Sequence, residues 1–169
     1  QYGLYGNGNY FYLYRMKEIN KKEQMPCISA VVPVFNSENT LQELYSRVTK
    51  SLIAHSSDYE IIFINDASGD NSSKAMHSIA ENDSNVKCID LNKNFGQHNA
   101  LLCGIRQAKY EVVVTLDDDL QNPPEEIPSL LEKLDQGYDV VYGYPKNEQH
   151  GLFRNIASIF TKMALKTTM

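Results

Sequence analysis

Three consecutive carboxylates, Asp117, Asp118 and Asp119, follow a run of β-branched residues and precede two prolines. The run at residues 112–116 is typical of a buried strand, and in open α/β sheets ligands bind just beyond the carboxyl ends of the strands. Adjacent carboxylates repel one another unless a cation or hydrogen-bond donors hold them. Hard oxygen ligands suit Mg²⁺ or Mn²⁺, which also bind phosphate oxygens. The acids therefore indicate a metal and phosphate site, and the alternative is an acidic turn that caps the helix starting near Pro124.

Apolar runs alternate with helical patterns from residue 28 onward, and these elements must position the acids. Strands are predicted at residues 28–34, 59–64, 86–91, 111–116 and 138–142. Helices are predicted from Asn39 or Thr40 to about residue 54, from about residue 71 to 82, at 97–108 and at 125–134. This alternation is typical of βαβ units and predicts an α/β fold with a parallel sheet. The polar loops that follow the strands should then cluster on one edge of that sheet.

Composition excludes several classes of function. The 169 residues suit one domain, and 16 basic against 21 acidic residues give a net charge of −5 without an arginine-rich run, which argues against a nucleic-acid partner. Cys27, Cys88 and Cys103 form no CxxC pair, so we interpret them as reduced core residues. The chain contains neither GxGxxG nor GxxxxGK[ST], which argues against a dinucleotide-binding fold and a P-loop ATPase. A phosphate would have to be held by a metal instead.

The two ends of the chain depart from this pattern. We interpret residues 1–25, rich in Tyr, Gly and Asn and then charged, as an N-terminal arm, an expression-derived segment or a contact within a homo-oligomer. Residues 146–169 predict an amphipathic helix that lies on a membrane surface or packs on the domain core. Its apolar stripe comprises Leu152, Ile156, Ile159, Phe160 and Met163. With no run of eighteen apolar residues and no signal peptide, residues 26–145 predict a cytoplasmic domain.

Four motifs in order resemble the family 2 glycosyltransferases of the GT-A fold. Within that family the chain is most similar to the polyprenyl-phosphate sugar transferases, which include the dolichol-phosphate and undecaprenyl-phosphate enzymes. The motifs are VVPVFN at residues 31–36, INDASGD at 64–70, LNKNFGQ at 91–97 and LDDDLQNPPE at 116–125. Each follows a predicted strand, and the resemblance extends over about residues 28–165. It implies a Rossmann-like nucleotide-binding domain that is truncated at its C-terminal side, where family members carry an acceptor-binding region.

The resemblance also implies roles for single residues. Nucleotide contacts would fall on Pro33, Val34, Phe35, Asp66, Lys93, Asp117 and Asp118. Asp66 would accept a hydrogen bond from the base edge, and Lys93 stands where arginine is usual. Asp117, Asp119 and Gln121 would hold the metal, and Asp118 or Asp119 is nearest to the position of a catalytic base. The chain departs from the family pattern at Ser37, Asn65 and Asn122, each of which stands where an acid is common.

The implied reaction moves a sugar from a nucleotide-diphosphate donor to a polyprenyl phosphate. We expect a UDP-sugar as the donor, inversion at the anomeric carbon, Mg²⁺ or Mn²⁺ as the cofactor, and a position at the inner face of the membrane. Two alternatives stay open. One is a family 2 enzyme with a polysaccharide or soluble acceptor, and the other is a catalytically inert nucleotide-binding or assembly domain.

Overall fold

A six-stranded sheet with helices on both faces forms the fold, and the computed structural model describes residues 11–15 and 25–143. The strands are β1 (Phe11–Arg15), β2 (Cys27–Val34), β3 (Asp58–Asn65), β4 (Val86–Asp90), β5 (Val112–Thr115) and β6 (Val140–Gly143). The helices are α1 (Leu41–His55), α2 (Ser72–Asn82), α3 (Gln97–Gln107) and α4 (Ile127–Asp135), with a 3₁₀ turn at Pro124–Glu126 before α4. The predicted elements from residue 28 onward are therefore present, with shifted ends.

The sheet has the order β4-β3-β2-β5-β1-β6. Strand β2 pairs in parallel with β3 and β5, and β3 pairs in parallel with β4, so these four strands end on the same edge. Helices α1, α2 and α4 contribute to the larger apolar cluster on one face, and α3 contributes to the smaller cluster on the other. The central strands are buried on both faces, which explains why they read as continuous apolar runs.

Strand β1 comes from the segment that the sequence suggested was an arm. It pairs antiparallel with both β5 and β6, and Leu13 lies opposite Val114 on one side and Val141 on the other. The side chain of Leu13 is fully buried. At least this part of residues 1–25 therefore belongs to the sheet and supports β5, the strand that leads into the three acids.

Helix α3 packs against the sheet with Gly104 at the point of contact. A Cβ atom at this position would come within 2.4 Å of Ile64 Cδ1 and 2.5 Å of Val31 Cγ1, both closer than atoms in proteins approach. Glycine therefore allows α3 to pack directly on β2 and β3.

The edge of the sheet where β2 and β3 begin contains a buried carboxylate. Glu60, only 1% exposed, accepts hydrogen bonds from Ser29 Oγ at 2.6 Å and from the Lys109 backbone N–H at 2.7 Å. Lys87 Nζ lies 2.7 Å from Glu60 Oε2 as an ion pair. Burial raises the pKa of Glu60, but the backbone N–H of Lys109, then Lys87 and Ser29, outweigh burial and hold it below its usual value.

The predicted amphipathic helix at residues 146–169 lies outside the described residues, so its two alternatives remain predictions. None of the helices in residues 25–143 is long and apolar enough to cross a membrane.

Candidate active site

A cleft of about 280 Å³ opens at the carboxyl edge of the parallel strands. The predicted site residues that line it are Pro33, Val34, Phe35, Asp66, Asp117, Asp118 and Asp119. Asn94, Gly96 and Gln97 complete the lining, whereas Lys93 and Gln121 do not belong to it. The sequence assigned no role to Asn94, Gly96 or Gln97, although all three lie in or beside the motif that follows β4. Their position after β4, on the same edge of the sheet as the acids, was the sequence signal that could have identified them as lining residues.

The loops around the cleft contain left-handed backbone at residues other than glycine. Asn36 (φ 56°), Ala67 (φ 56°) and Leu120 (φ 59°) follow β2, β3 and β5 respectively. Among the described residues these are the non-glycine positions with positive φ, and all three lie at this edge of the sheet. Such conformations cost free energy and persist where the surrounding structure imposes them, often at functional sites.

Asp117 is buried at the base of the cleft and incompletely hydrogen-bonded. Its side chain is 7% exposed, and its Oδ1 accepts a hydrogen bond from the Gln97 side-chain amide, while its Oδ2 is buried with no hydrogen-bond partner in the described residues. Burial, followed by the charges of Asp119 and Asp118, raises the pKa of Asp117 from 3.8 to about 6. Hydrogen bonds from Gln97 and Asn122 act in the opposite direction and are too weak to cancel the increase. This carboxylate therefore lacks a positive partner.

The next two acids point to different surroundings. Asp118 Oδ2 accepts the Phe35 backbone N–H at 2.8 Å and the Ser37 hydroxyl, so this carboxylate is bound to the loop after β2. Asp119 is exposed, and its Oδ1 accepts the backbone N–H of Gln121 at 3.0 Å. Leu120, which follows the acids, has left-handed backbone and lets the chain turn between Asp119 and Gln121.

The donor set fits a divalent cation that is shared with a phosphate ligand. Within residues 11–15 and 25–143, no three His, Cys, Asp or Glu side chains are arranged as a metal site. Because Asp118 is hydrogen-bonded to the neighbouring loop, Asp117 and Asp119 are the acids to consider as cation ligands. Mg²⁺ is usually held by one or two carboxylates together with substrate phosphates and water. The buried Oδ2 of Asp117 is an anionic oxygen without a donor, which is the arrangement that such a cation would satisfy.

Asp66 organises the loop on the opposite wall. The side chain is 3% exposed, and its two carboxylate oxygens accept the backbone N–H groups of Phe95 at 2.7 Å and Gly96 at 2.8 Å. A carboxylate offers about four acceptor positions, so a further donor from a ligand can still bind. Lys93 is exposed and its ammonium lies 4.9 Å from the centre of the Phe95 ring, beside the cleft rather than in it.

Asn65, which stands where an acid is common, is explained by its neighbour. Its side-chain amide donates to Asp90 Oδ1 at 2.7 Å, and Asp90 also accepts from Ser73 Oγ at 2.7 Å and His77 Nε2 at 2.6 Å. Burial raises the pKa of Asp90, but the bonds from Asn65, His77 and Ser73 outweigh burial and lower it. A carboxylate at position 65 would repel Asp90, whereas an amide links the ends of β3 and β4.

Arg47 fixes the far end of the acid loop. Its Nε and Nη2 donate to the two carboxylate oxygens of Glu125 at 2.9 and 2.7 Å. This paired contact joins α1 to the 3₁₀ turn after the acids. The loop is therefore anchored on both sides of Asp119.

Comparison with known proteins agrees with this geometry. The sequence matches the profile of Glycosyl transferase family 2 over residues 29–167. It is 44% identical over 141 residues to the undecaprenyl-phosphate 4-deoxy-4-formamido-L-arabinose transferase of Pseudomonas fluorescens, covering 83% of this chain and 41% of that protein. The Proteus mirabilis protein of the same name is 43% identical over 148 residues, covering 86% of this chain and 45% of that protein. The chain thus spans less than half the length of these curated relatives.

Solved structures show the same fold. A mannosyltransferase from Pyrobaculum calidifontis, in complex with GDP-Man and Mn²⁺, aligns with a TM-score of 0.52 at 23% identity over 57% of this chain and 28% of its own. Residues 1–349 of S. aureus TarS, in complex with UDP-GlcNAc, align with a TM-score of 0.51 at 23% identity over 64% of this chain and 31% of that one. The predicted α/β fold of the GT-A class and the predicted resemblance to polyprenyl-phosphate sugar transferases are confirmed. The chain belongs to glycosyl transferase family 2.

Proposed function

We propose that this chain is the donor-binding part of a glycosyltransferase that moves a sugar from a nucleotide diphosphate to a polyprenyl phosphate, with inversion. The observation that carries the proposal is the buried, unpartnered Oδ2 of Asp117 at the base of a cleft that Asp66 and Asp118 also line. The names of the relatives support the acceptor, since both are undecaprenyl-phosphate sugar transferases. Solved structures of the same fold contain GDP-Man or UDP-GlcNAc, and we propose a UDP-sugar as the donor here.

Asp117, Asp119 and Gln121 would hold Mg²⁺ or Mn²⁺ in this proposal. When bound, the cation would stabilise the negative charge that develops on the leaving diphosphate. Asp117 is oriented for this role by the amide of Gln97, which occupies Oδ1 and leaves Oδ2 turned away from protein donors. The raised pKa of Asp117 reflects the same lack of positive charge.

The nucleoside would bind between the loop after β2 and the loop after β4. Pro33, Val34 and Phe35 offer apolar surface, and Phe35 is 49% exposed. Asp66 would accept the N–H of the base, and Lys93 would approach a phosphate from the rim of the cleft.

The proposed acceptor requires little general-base catalysis from this domain. A phosphate monoester has a second pKa near 6, so a polyprenyl phosphate is largely ionised at neutral pH and needs little help from a general base. If a base acts from this part of the chain, the exposed Asp119 is better placed than Asp118, whose Oδ2 already accepts two hydrogen bonds. We place the reaction at the inner face of the membrane, with residues 146–169 as the proposed surface contact. A homo-oligomer remains a further proposal.

A second candidate is nucleotide binding without transfer. It would use the same cleft, lined by Asp66 and Asp117, to hold a nucleotide. A polysaccharide or soluble acceptor is the other alternative within the family. Release of UDP from a UDP-sugar, measured with and without a polyprenyl phosphate, separates transfer to that acceptor from binding alone.

Thermal unfolding tests the nucleotide and metal site directly. We expect UDP to raise the melting temperature more with Mn²⁺ than with EDTA, because a ligand that binds only the native state stabilises it. The double variant Asp117→Asn, Asp119→Asn should lose the Mn²⁺-dependent part of the shift. Asp139→Asn, at an exposed acid before β6, is the matched control and should keep it. A double variant that retains the full Mn²⁺ effect would refute the metal assignment.

A further inference from the structure

Asp118 connects two loops that are far apart in sequence. Its Oδ2 accepts the backbone N–H of Phe35 at 2.8 Å and the hydroxyl of Ser37, and its own backbone carbonyl accepts Thr40 Oγ1 at 2.8 Å. Three donors from the segment between β2 and α1, which we call the 35–40 loop, therefore converge on one residue of the acid loop. The neighbouring acids accept different donors: Asp117 accepts the side-chain amide of Gln97, and Asp119 accepts the backbone N–H of Gln121.

The 35–40 loop is held from its other side as well. Asn36 N donates to Ser68 Oγ at 3.1 Å, and Ser37 N donates to Ser72 Oγ at 2.8 Å. Asn36 itself has left-handed backbone. A segment in this conformation needs contacts on both sides to keep it, and on the side of the acids these contacts are to Asp118.

We propose that Asp118 is a positioning residue that fastens the 35–40 loop to the acid loop and thereby sets the shape of the nucleoside end of the cleft. The inference builds on the proposed function, because Phe35 lines the cleft and its N–H is bound by Asp118. Ser37 and Asp118 are suited to each other, because the Ser37 hydroxyl donates a hydrogen bond to the Asp118 carboxylate. An acid at position 37 would place two negative charges against each other.

Two measurements on the 169-residue chain test the proposal. The first is amide hydrogen exchange of Phe35 without ligand, and the second is the dissociation constant of UDP with Mn²⁺. Asp118→Ala should speed exchange at Phe35 by about tenfold or more and weaken UDP binding by about tenfold, because charge-assisted hydrogen bonds to the loop are lost. Asp118→Asn keeps an acceptor oxygen, so both values should stay within about threefold of the wild type.

A variant of Ser37, the partner of Asp118, and a variant of a second acid provide controls. Ser37→Ala should have a smaller effect than Asp118→Ala, and adding it to Asp118→Ala should change nothing further, because both changes break the same connection. Asp139→Ala should leave exchange at Phe35 unchanged, since Asp139 is an exposed acid just before β6 and belongs to neither loop.

Three results would decide against the proposal or separate it from the proposed function. Unchanged exchange at Phe35 in Asp118→Ala would overturn it. Asp118→Asn binding UDP as poorly as Asp118→Ala, with wild-type exchange, would also overturn it and assign the charge of Asp118 to the ligand itself. A wild-type chain that binds neither UDP nor GDP would refute the proposed function, and the exchange measurement alone would then decide whether Asp118 holds the loop.

Discussion

Each end of the parallel strands buries a carboxylate, and the surroundings shift the pKa values of the two carboxylates in opposite directions. At the amino edge, Glu60 has a hydroxyl, a backbone N–H and the ammonium of Lys87 around it, and its pKa is lowered. At the carboxyl edge, Asp117 has side-chain amides and two acids as neighbours, its Oδ2 is buried with no hydrogen-bond partner in the described residues, and its pKa is raised to about 6. Burial is similar at both positions, so the partners make the difference. The carboxylate at the amino edge is balanced by the ammonium of Lys87, whereas in the described residues the carboxylate at the carboxyl edge has other acids, and not a cation, as its charged neighbours.

The largest expected change in stability is at the amino edge. Glu60→Ala should lower the free energy of unfolding by about 2–4 kcal/mol, because it leaves Ser29 and the Lys109 N–H without their buried acceptor. Glu60→Gln keeps an acceptor and should cost less. Urea denaturation measures both variants. If Glu60→Ala lowers the free energy of unfolding by less than about 1 kcal/mol, this network is not needed for stability.

The pH dependence of that contribution has a definite sign. The folded pKa of Glu60 lies below the unfolded value near 4.5. Its contribution is therefore fully present above pH 4.5 and is lost as the pH falls through the folded pKa.

Asp117→Asn should act in the opposite direction in EDTA. The folded pKa near 6 lies above the unfolded value of 3.8, so the native state holds a proton that the unfolded chain releases between these values. The free energy of unfolding therefore falls as the pH rises from 3.8 to about 6, and above pH 6 the loss due to Asp117 stays constant. The variant should gain about 1–3 kcal/mol over the wild type at pH 7.5 and little of that at pH 4. With Mn²⁺ and UDP the order should reverse, and a variant that is less stable than the wild type in EDTA at pH 7.5 contradicts this account.

Backbone strain sharpens the same contrast. Ala67→Gly should raise the free energy of unfolding by about 1 kcal/mol, because alanine at φ 56° is strained and glycine is not. Ala108→Gly is the matched control at the amino edge, where Ala108 has φ −64° and ψ 128°. This control should lose stability, since glycine only adds freedom to the unfolded chain. A loss of stability at both positions would show that the strain at Ala67 is not real.

The smallest effect compares two exposed lysines, each above an aromatic ring. Lys93 lies 4.9 Å from the Phe95 ring centre beside the cleft, and Lys109 lies 4.4 Å from the Tyr110 ring centre at the amino edge. Lys93→Ala should weaken UDP binding by about threefold to fivefold at low salt and less at high salt, since exposed charges are screened. Lys109→Ala should change it by less than about twofold. Titration calorimetry at two ionic strengths measures both, and equal effects would remove Lys93 from the proposed donor site.

Much of this arrangement could be predicted from periodicity. Apolar runs alternating with amphipathic segments placed the strands to within a few residues, and polar residues after the strands placed the candidate site on one edge. Strand β1 could not be predicted because its partners Val114 and Val141 are about a hundred residues away, and only the folded chain brings them together. A Gly- and Asn-rich surrounding also hid its aromatic, strand-forming residues.

The separate directions of the three acids could not be predicted either. Spacing places Asp117, Asp118 and Asp119 together, but their side-chain directions depend on the left-handed turn at Leu120 and on donors from other loops. Ser37 appeared on sequence as a departure from the family pattern, and its contact with Asp118 supplies a physical reason for it. The sequence pattern therefore predicted which edge of the sheet carries these residues, and the folded structure shows which groups each of them contacts.

Gly104 gives the closing example of how far the site extends. The residue lies seven positions after Gln97 on the same helix, a rise of about 10 Å, and takes no part in the cleft. Its missing side chain nevertheless leaves room for Ile64 and Val31 against α3, the helix that begins with Gln97. An added methyl group would displace these two side chains or the helix, and a displaced helix would move the amide that donates to Asp117. The geometry of the candidate site would then depend on the hydrophobic core, through a residue that does not line the cleft.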